Sequence, residues 1–322
     1  MSDNPFVPFF NRGTIVLDGG LATELEAKGC RLDDELWSAR TLLDSPELIR
    51  QVHSEFLGAG ADCIATVTYQ ATLAGFRKSG LSHATSIELM QSAVRLTCEA
   101  RDTFWQDRSN RTGRLRPLVA ASIGPYGAFL ADGSEYSGHY DLDADALYAF
   151  HQPRWKLLAA SPADLMACET IPSLVEAGAL LRLLDETPER WGWLSFSCRD
   201  QERLSDGSRL ADAIRLCAEH ANVAAVGINC TAPALIAPLL RVAARHATQP
   251  ILVYPNSGEH YDARSKTWNA VGPATDWVAA AAEWIDLGAA GVGGCCRTRT
   301  DDIRRLHRLV ESRTLHGDQH AE

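Results

Sequence analysis

Nothing in the 322-residue sequence approaches the roughly 20 consecutive apolar residues that a membrane-spanning helix requires. Positive charge is also scarce: 31 Lys and Arg stand against 41 Asp and Glu, a net charge of −10, and the basic residues are scattered rather than gathered in a run. That argues against a nucleic-acid partner and against attachment to an anionic membrane surface. The opening Met1-Ser2-Asp3-Asn4 lacks the basic start and apolar core of an export signal, so a cytoplasmic location is expected. No glycine-rich dinucleotide fingerprint follows an apolar run, and no Cys-x2-Cys pair marks a zinc ribbon.

What is present points to a soluble protein that handles small molecules. The 46% apolar fraction is ample for one full core. Nine cysteines, an odd number outside any small-domain framework, fit reduced thiols better than disulfides. Cys63 and Cys168 sit inside apolar runs, and Cys98 and Cys217 fall on apolar helical stripes, so these four read as ordinary core.

Eight short apolar runs recur along the chain, at 14–18, 63–67, 118–123, 165–169, 193–197, 224–229, 251–254 and 289–292. Amphipathic segments separate them, one opening at Ser45-Pro46-Glu47 with a capping hydroxyl and a proline in the first turn. Near-continuous apolar strands alternating with helices indicate a parallel sheet covered by helices. At about 40 residues per unit, the count fits an α/β fold of the (β/α)8 TIM-barrel type, with a doubly wound open sheet as the alternative. The chain reads as a single domain over residues 1–322, with 311–322 a polar, frayed tail.

In such barrels chemistry gathers where the strands end. Those positions hold Asp18, Thr66, Ser122, Glu169, Ser197, Asn229 with Cys230, Asn256, and Cys295 with Cys296. The hydroxyls of Thr66, Ser122 and Ser197 serve equally well as partners for backbone groups. Asp18 and Glu169 differ, because a carboxylate ending a buried strand is costly unless a cation or donors meet it.

Cys295 and Cys296 are adjacent, and neighbours on a strand point to opposite faces. Gly293 and Gly294 are expected to relax the backbone so that both sulfurs turn inward. The sixth and eighth strand ends, one neighbour apart, lie roughly 10 Å from each other, a span that Cys230 and the cysteine pair bridge around a metal. Three ligands leave a fourth position open, as in a catalytic zinc site; buried thiols and a Cys295-Cys296 redox pair remain alternatives.

Three stretches resemble the homocysteine S-methyltransferase family: Leu17-Asp18-Gly19-Gly20-Leu21-Ala22-Thr23-Glu24-Leu25, Gly227-Ile228-Asn229-Cys230 and Gly293-Gly294-Cys295-Cys296-Arg297-Thr298. Asp34-Glu35-Leu36-Trp37-Ser38-Ala39, Tyr69-Gln70-Ala71-Thr72, Leu130 to Tyr136, and Tyr254 to Tyr261 continuing through Ser265-Lys266-Thr267-Trp268 are similar to its S-methylmethionine-using branch. Gly20 stands where relatives often carry Ala or Thr.

The resemblance implies a (β/α)8 barrel with zinc on Cys230, Cys295 and Cys296, and homocysteine held through its ammonium by Asp18 and Glu169. The backbone N–H groups of Gly19 and Gly20 would take the carboxylate, with Asn229 a supporting donor. A sulfonium methyl donor, S-methylmethionine or next S-adenosylmethionine, would pass its methyl to the homocysteine sulfur and give methionine. Betaine and methylfolate suit the loops less well. Because the leaving thioether is neutral, none of the ten histidines needs a catalytic role, and His316 and His320 read as solvated tail. Trp37, Tyr69, Phe76, Tyr126, Tyr254 and Trp268 are candidates to face the donor cation. Besides the methyltransferase, a thiol redox enzyme and a non-catalytic amino-acid-binding barrel are the other functions to be weighed.

Overall fold

The computed structural model describes residues 3–30, 37–262, 267–269 and 276–317. The apolar runs become eight parallel strands: β1 (Ile15–Val16), β2 (Cys63–Ala65), β3 (Leu118–Ile123), β4 (Leu165–Ile171), β5 (Gly192–Phe196), β6 (Val223–Asn229), β7 (Ile251–Tyr254) and β10 (Ala289–Val292). Between the last two lies a short antiparallel hairpin of β8 (His260–Asp262) and β9 (Thr267–Asn269).

The hydrogen-bonded order is β1-β10-β7-β6-β5-β4-β3-β2. A parallel bridge between Leu17 and Cys63 then joins the two ends, supported by Asp62 N to Val16 O at 2.7 Å and Asp18 N to Cys63 O at 3.1 Å. The ring is therefore closed, and the open sheet is excluded.

Alternation along the strands divides the apolar interior into two shells. Outward residues such as Val119, Ala121, Met166, Leu194 and Val253 pack under the helices with Ile49, Val52, Phe56, Met90 and Val94. Inward residues Ile15, Leu17, Ala120, Leu165, Ala167, Trp193, Leu252 and Tyr254 fill the barrel. Alanines at 120 and 167 leave room for the large Trp193 and Tyr254 rings.

The N-terminal segment closes one end of this inner shell. The helix Val7–Phe10 sets Phe6, fully buried, with its ring 5.6 Å from Trp193, and Asn4 Nδ2 donates to Ala224 O near the start of β6 (3.3 Å). The other end, where the strands finish, is left to polar residues.

Two details depart from the sequence reading. Ser45 does precede the helix Pro46–Ala59, but its side chain makes no capping hydrogen bond. The final helix runs Thr300–Gly317 on an apolar stripe of Ile303, Leu306 and Val310, so 311–317 continue a helix where fraying was expected. Residues 318–322 and the side chains of His316 and His320 lie outside the described residues. Among those described, no helix is long and apolar enough to cross a membrane.

Candidate active site

The strand ends surround a cavity of about 250 Å³ lined by Asp18, Gly19, Gly20, Glu169, Cys230, Cys295, Cys296 and the rings of Tyr69, Tyr136 and Tyr254. Cys230 follows β6, and the cysteine pair follows β10, with β7 between them. The three Sγ atoms lie within 4.8 Å of one another, and the Cys230 and Cys296 sulfurs are 3.5 Å apart. Tetrahedral coordination with metal–sulfur bonds of about 2.3 Å needs edges of about 3.8 Å, so the sulfurs are spaced to hold one ion. All nine cysteines are free thiols. Hydrogen bonding from Cys230 and Cys295 holds the Cys296 thiol well below its ordinary value, while Cys295, in the same contacts, is pushed well up.

The backbone achieves this convergence differently from the sequence expectation. Neither Gly293 nor Gly294 has a positive φ; Cys230 (φ 47) and Arg297 (φ 65) do. The glycines are needed for space: a Cβ on Gly293 would come 2.6 Å from Leu17 Cβ, and one on Gly294 2.2 Å from Thr298 Oγ1. The chain thus passes hard against β1 and then turns. Gly294 N donates to Asp18 O (3.0 Å) and Cys295 N to Pro255 O (2.8 Å), tying the turn to both flanking strand ends. Thr298 closes it, its Oγ1 donating to Cys295 O at 2.7 Å.

Both carboxyls expected at the mouth are there. Asp18 Oδ2 accepts from Ala65 N (2.8 Å), yet burial, aided by the charge of Glu169, pushes its pKa well above the carboxylate range. Glu169 is raised by burial to about 7, against hydrogen bonds from Ser122 and Tyr254. A register shift in the pairing of β4 with β5, between Cys168 and Ile171, brackets Glu169, and the next residue, Thr170, takes φ 63. Such an irregularity re-aims a side chain out of the strand pattern. Asn229 clamps it: its Oδ1 accepts from Thr170 N and its Nδ2 donates to Thr170 Oγ1, each at 2.8 Å. Asn229 Nδ2 also stands 3.9 Å from Cys295 Sγ.

Gly20 N already donates to Thr298 Oγ1 (3.1 Å), so of the two glycine amides expected to meet a carboxylate, one is engaged. Thr66 Oγ1 accepts from Ser122 N (3.0 Å), and Ser197 Oγ donates to Glu135 O (3.3 Å); these hydroxyls serve backbone groups. Ser122 Oγ instead donates to Glu169.

Of the aromatic candidates, Tyr69 lines the cavity. Tyr254 does too, but as the last residue of β7, turned into the barrel and hydrogen-bonded to Trp193 Nε1 (2.9 Å) and Ser195 Oγ, so it forms floor rather than a mouth loop. Phe76 is fully buried in the outer shell, and Tyr126 packs on Phe150 with centroids 4.8 Å apart; neither lines the cavity. The side chains of Trp37 and Trp268 lie outside the described residues. Tyr136 entered the sequence reading only as the end of the branch-like stretch from Leu130 and was given no role there, although its Oη stands 3.3 Å from Cys230 Sγ. Its position in a polar loop after β3 was the available signal.

Comparison with known proteins agrees with this geometry. Residues 15–310 match the family model described as Homocysteine S-methyltransferase. The Bacillus subtilis homocysteine S-methyltransferase YbgG is 50% identical over 292 residues, covering 91% of this chain and 93% of that one. A selenocysteine Se-methyltransferase of Brassica oleracea is 46% identical over 315 residues, covering 94% and 91%. The metallated form of the homocysteine methyltransferase MmuM from Escherichia coli superposes with a TM-score of 0.86 at 42% identity, covering 95% of this chain and all of that one.

Proposed function

The chain belongs to the homocysteine S-methyltransferase family, and from that premise we propose that it transfers a methyl group from a sulfonium donor to the sulfur of L-homocysteine, giving methionine. The observation that carries this reading is the meeting of three cysteine sulfurs with two buried carboxyls at one cavity. S-methylmethionine is the leading donor and S-adenosylmethionine the second.

Cys230, Cys295 and Cys296 would hold zinc, which when bound supplies the Lewis acidity that lets a substrate thiol lose its proton near neutral pH. Their sulfur-only donor set suits that ion, and three protein ligands leave one position for substrate. Asp18 and Glu169 would receive the homocysteine ammonium. Burial raises Glu169 to about 7, so an arriving cation would draw it to the carboxylate form and repay part of its desolvation. Ser122 and Ala65 N, bonded to the two carboxyls, keep both oriented. The acceptor sulfur then attacks the methyl carbon in line, and the donor leaves as a neutral thioether. No protonation of the leaving group is required.

Elemental analysis and turnover of homocysteine with each donor in turn test the reading. About one zinc per chain and methionine formation are expected, with both lost in Cys295→Ser; a metal-free variant that still turns over would sink it.

A further inference from the structure

A carboxylate buried without a cation is costly, and a pocket that keeps one is shaped for a cationic ligand. Glu135 is such a residue. It lies in the 3-10 turn Ser134–Tyr136 after β3, is 9% exposed, and lines the cavity of the three cysteines. Its Oε2 is enclosed and has no hydrogen-bond partner, and among the described residues lining the cavity there is no Lys, Arg or His. Gln70, which lines the same cavity, repeats the pattern. Its Nε2 donates to Ala128 O (3.2 Å), while its buried Oε1 accepts nothing.

The placement of Glu135 is enforced by its surroundings. The helix Tyr126–Leu130 packs so closely that a Cβ on Gly127 would come 2.3 Å from Glu135 N. Asp132 Oδ1 accepts from Ser134 N (2.9 Å), and Ser197 Oγ donates to Glu135 O (3.3 Å). The carboxyl is steadied by backbone hydrogen bonds from Gly133 and from its own residue, yet Oε2 meets no donor, and an acceptor oxygen held this firmly is built for something that arrives. Asp18 and Glu169 line the same cavity but have Ala65 N and Ser122 Oγ as donors, and the charge of Glu169 raises Asp18. The charge of Glu135 bears on Tyr69 and Tyr136, and that of Cys230 bears on Glu135 as it does on Glu169.

Building on the methyl-transfer reading, we propose that Glu135 is the counter-ion for the sulfonium centre of the methyl donor, with the Tyr69 and Tyr136 rings beside the cation and Gln70 Oε1 accepting from the donor's ammonium. In the reaction an electron pair of the acceptor sulfur forms the new S–CH₃ bond, and the pair of the broken S–CH₃ bond stays on the donor sulfur. The thiolate and sulfonium charges cancel as this happens. A carboxylate beside the sulfonium therefore favours the bound donor more than the transition state, and its effect falls on donor binding rather than on turnover.

Steady-state kinetics of Glu135→Gln, with S-methylmethionine and homocysteine varied independently, test this. The donor KM should rise by about 30-fold or more, with the homocysteine KM unchanged and kcat not reduced. Calorimetry should show that the wild type favours S-methylmethionine over methionine, its neutral counterpart, and that the variant loses this preference. An unchanged donor KM, or equal rises in both KM values, overturns the assignment. Should Glu135→Gln fail to fold by circular dichroism, Glu135→Asp is read by the same split. A wild type that transfers no methyl from any sulfonium overturns the methyl-transfer reading and this one with it; an active wild type whose Glu135→Gln variant keeps its donor KM overturns this one alone.

Discussion

Cys230 shares the backbone strain of the site with Thr170 and Arg297. With φ 47 it stands in the left-handed region, which costs an L-residue roughly 1–2 kcal/mol. Its N–H bond to Tyr254 O (3.2 Å) and the contact of its sulfur with Cys296 hold it there. The sequence placed Cys230 at a strand end but said nothing of this, since no glycine or asparagine marks the position. It directed attention instead to Gly293 and Gly294, whose role is to admit Leu17 and Thr298 at close range. Glycine tolerates φ 47 freely, so Cys230→Gly should be more stable than Cys230→Ala by about 1 kcal/mol, although each loses the same sulfur. Urea denaturation of both variants in chelator measures the difference; equal stability would show that the backbone there is relaxed.

The functional unit at the level of elements is the turn from Cys295 to Thr298. Thr298 Oγ1 accepts from Gly20 N and donates to Cys295 O, so one hydroxyl joins the first βα loop to the last. Thr298→Val keeps the shape and removes both bonds. Metal affinity is expected to fall by roughly 10- to 100-fold, as when a group supporting a ligand is lost, with helical content preserved. Competition with a chromophoric chelator reads the affinity, and an unchanged value would mean that the strand contacts alone fix the turn. The clamp of Asn229 on Thr170 is a comparable device for Glu169. Asn229 was legible as a site residue, but what it holds was not, because residues 170 and 229 stand on β4 and β6 and meet only across β5.

Across the whole molecule, the barrel separates the tasks of its two ends. At one end Phe6 packs against Trp193 and seals the inner shell; at the other the strands release their polar residues into the cavity. The short N-terminal helix was absent from the sequence reading, since four residues carry no periodicity to detect. Phe6→Ala should cost about 3–5 kcal/mol of unfolding free energy, the usual loss for a buried phenyl ring. Metal content in the folded fraction should stay at the wild-type level, because the sulfurs lie at the far end. Thermal unfolding with elemental analysis checks both, and loss of metal without loss of stability would contradict this division.

The sequence by itself determined the eightfold alternation, and with it the barrel, since buried parallel strands must be apolar and each must end in something polar. It also determined which residue types gather at the mouth, because Asp18, Glu169, Asn229, Cys230, Cys295 and Cys296 each terminate such a run. Only the tertiary structure decided which of them meet. Closure through Leu17 and Cys63 brings Asp18 beside Ala65, and packing makes floor of Tyr254 and outer core of Phe76. It also left Glu135 and Gln70 facing the cavity with acceptors unpaired. The physical reason is range: periodicity and strand ends follow from neighbours along the chain, whereas sulfur spacing, desolvation and an unmatched hydrogen-bond acceptor depend on groups that only folding brings together.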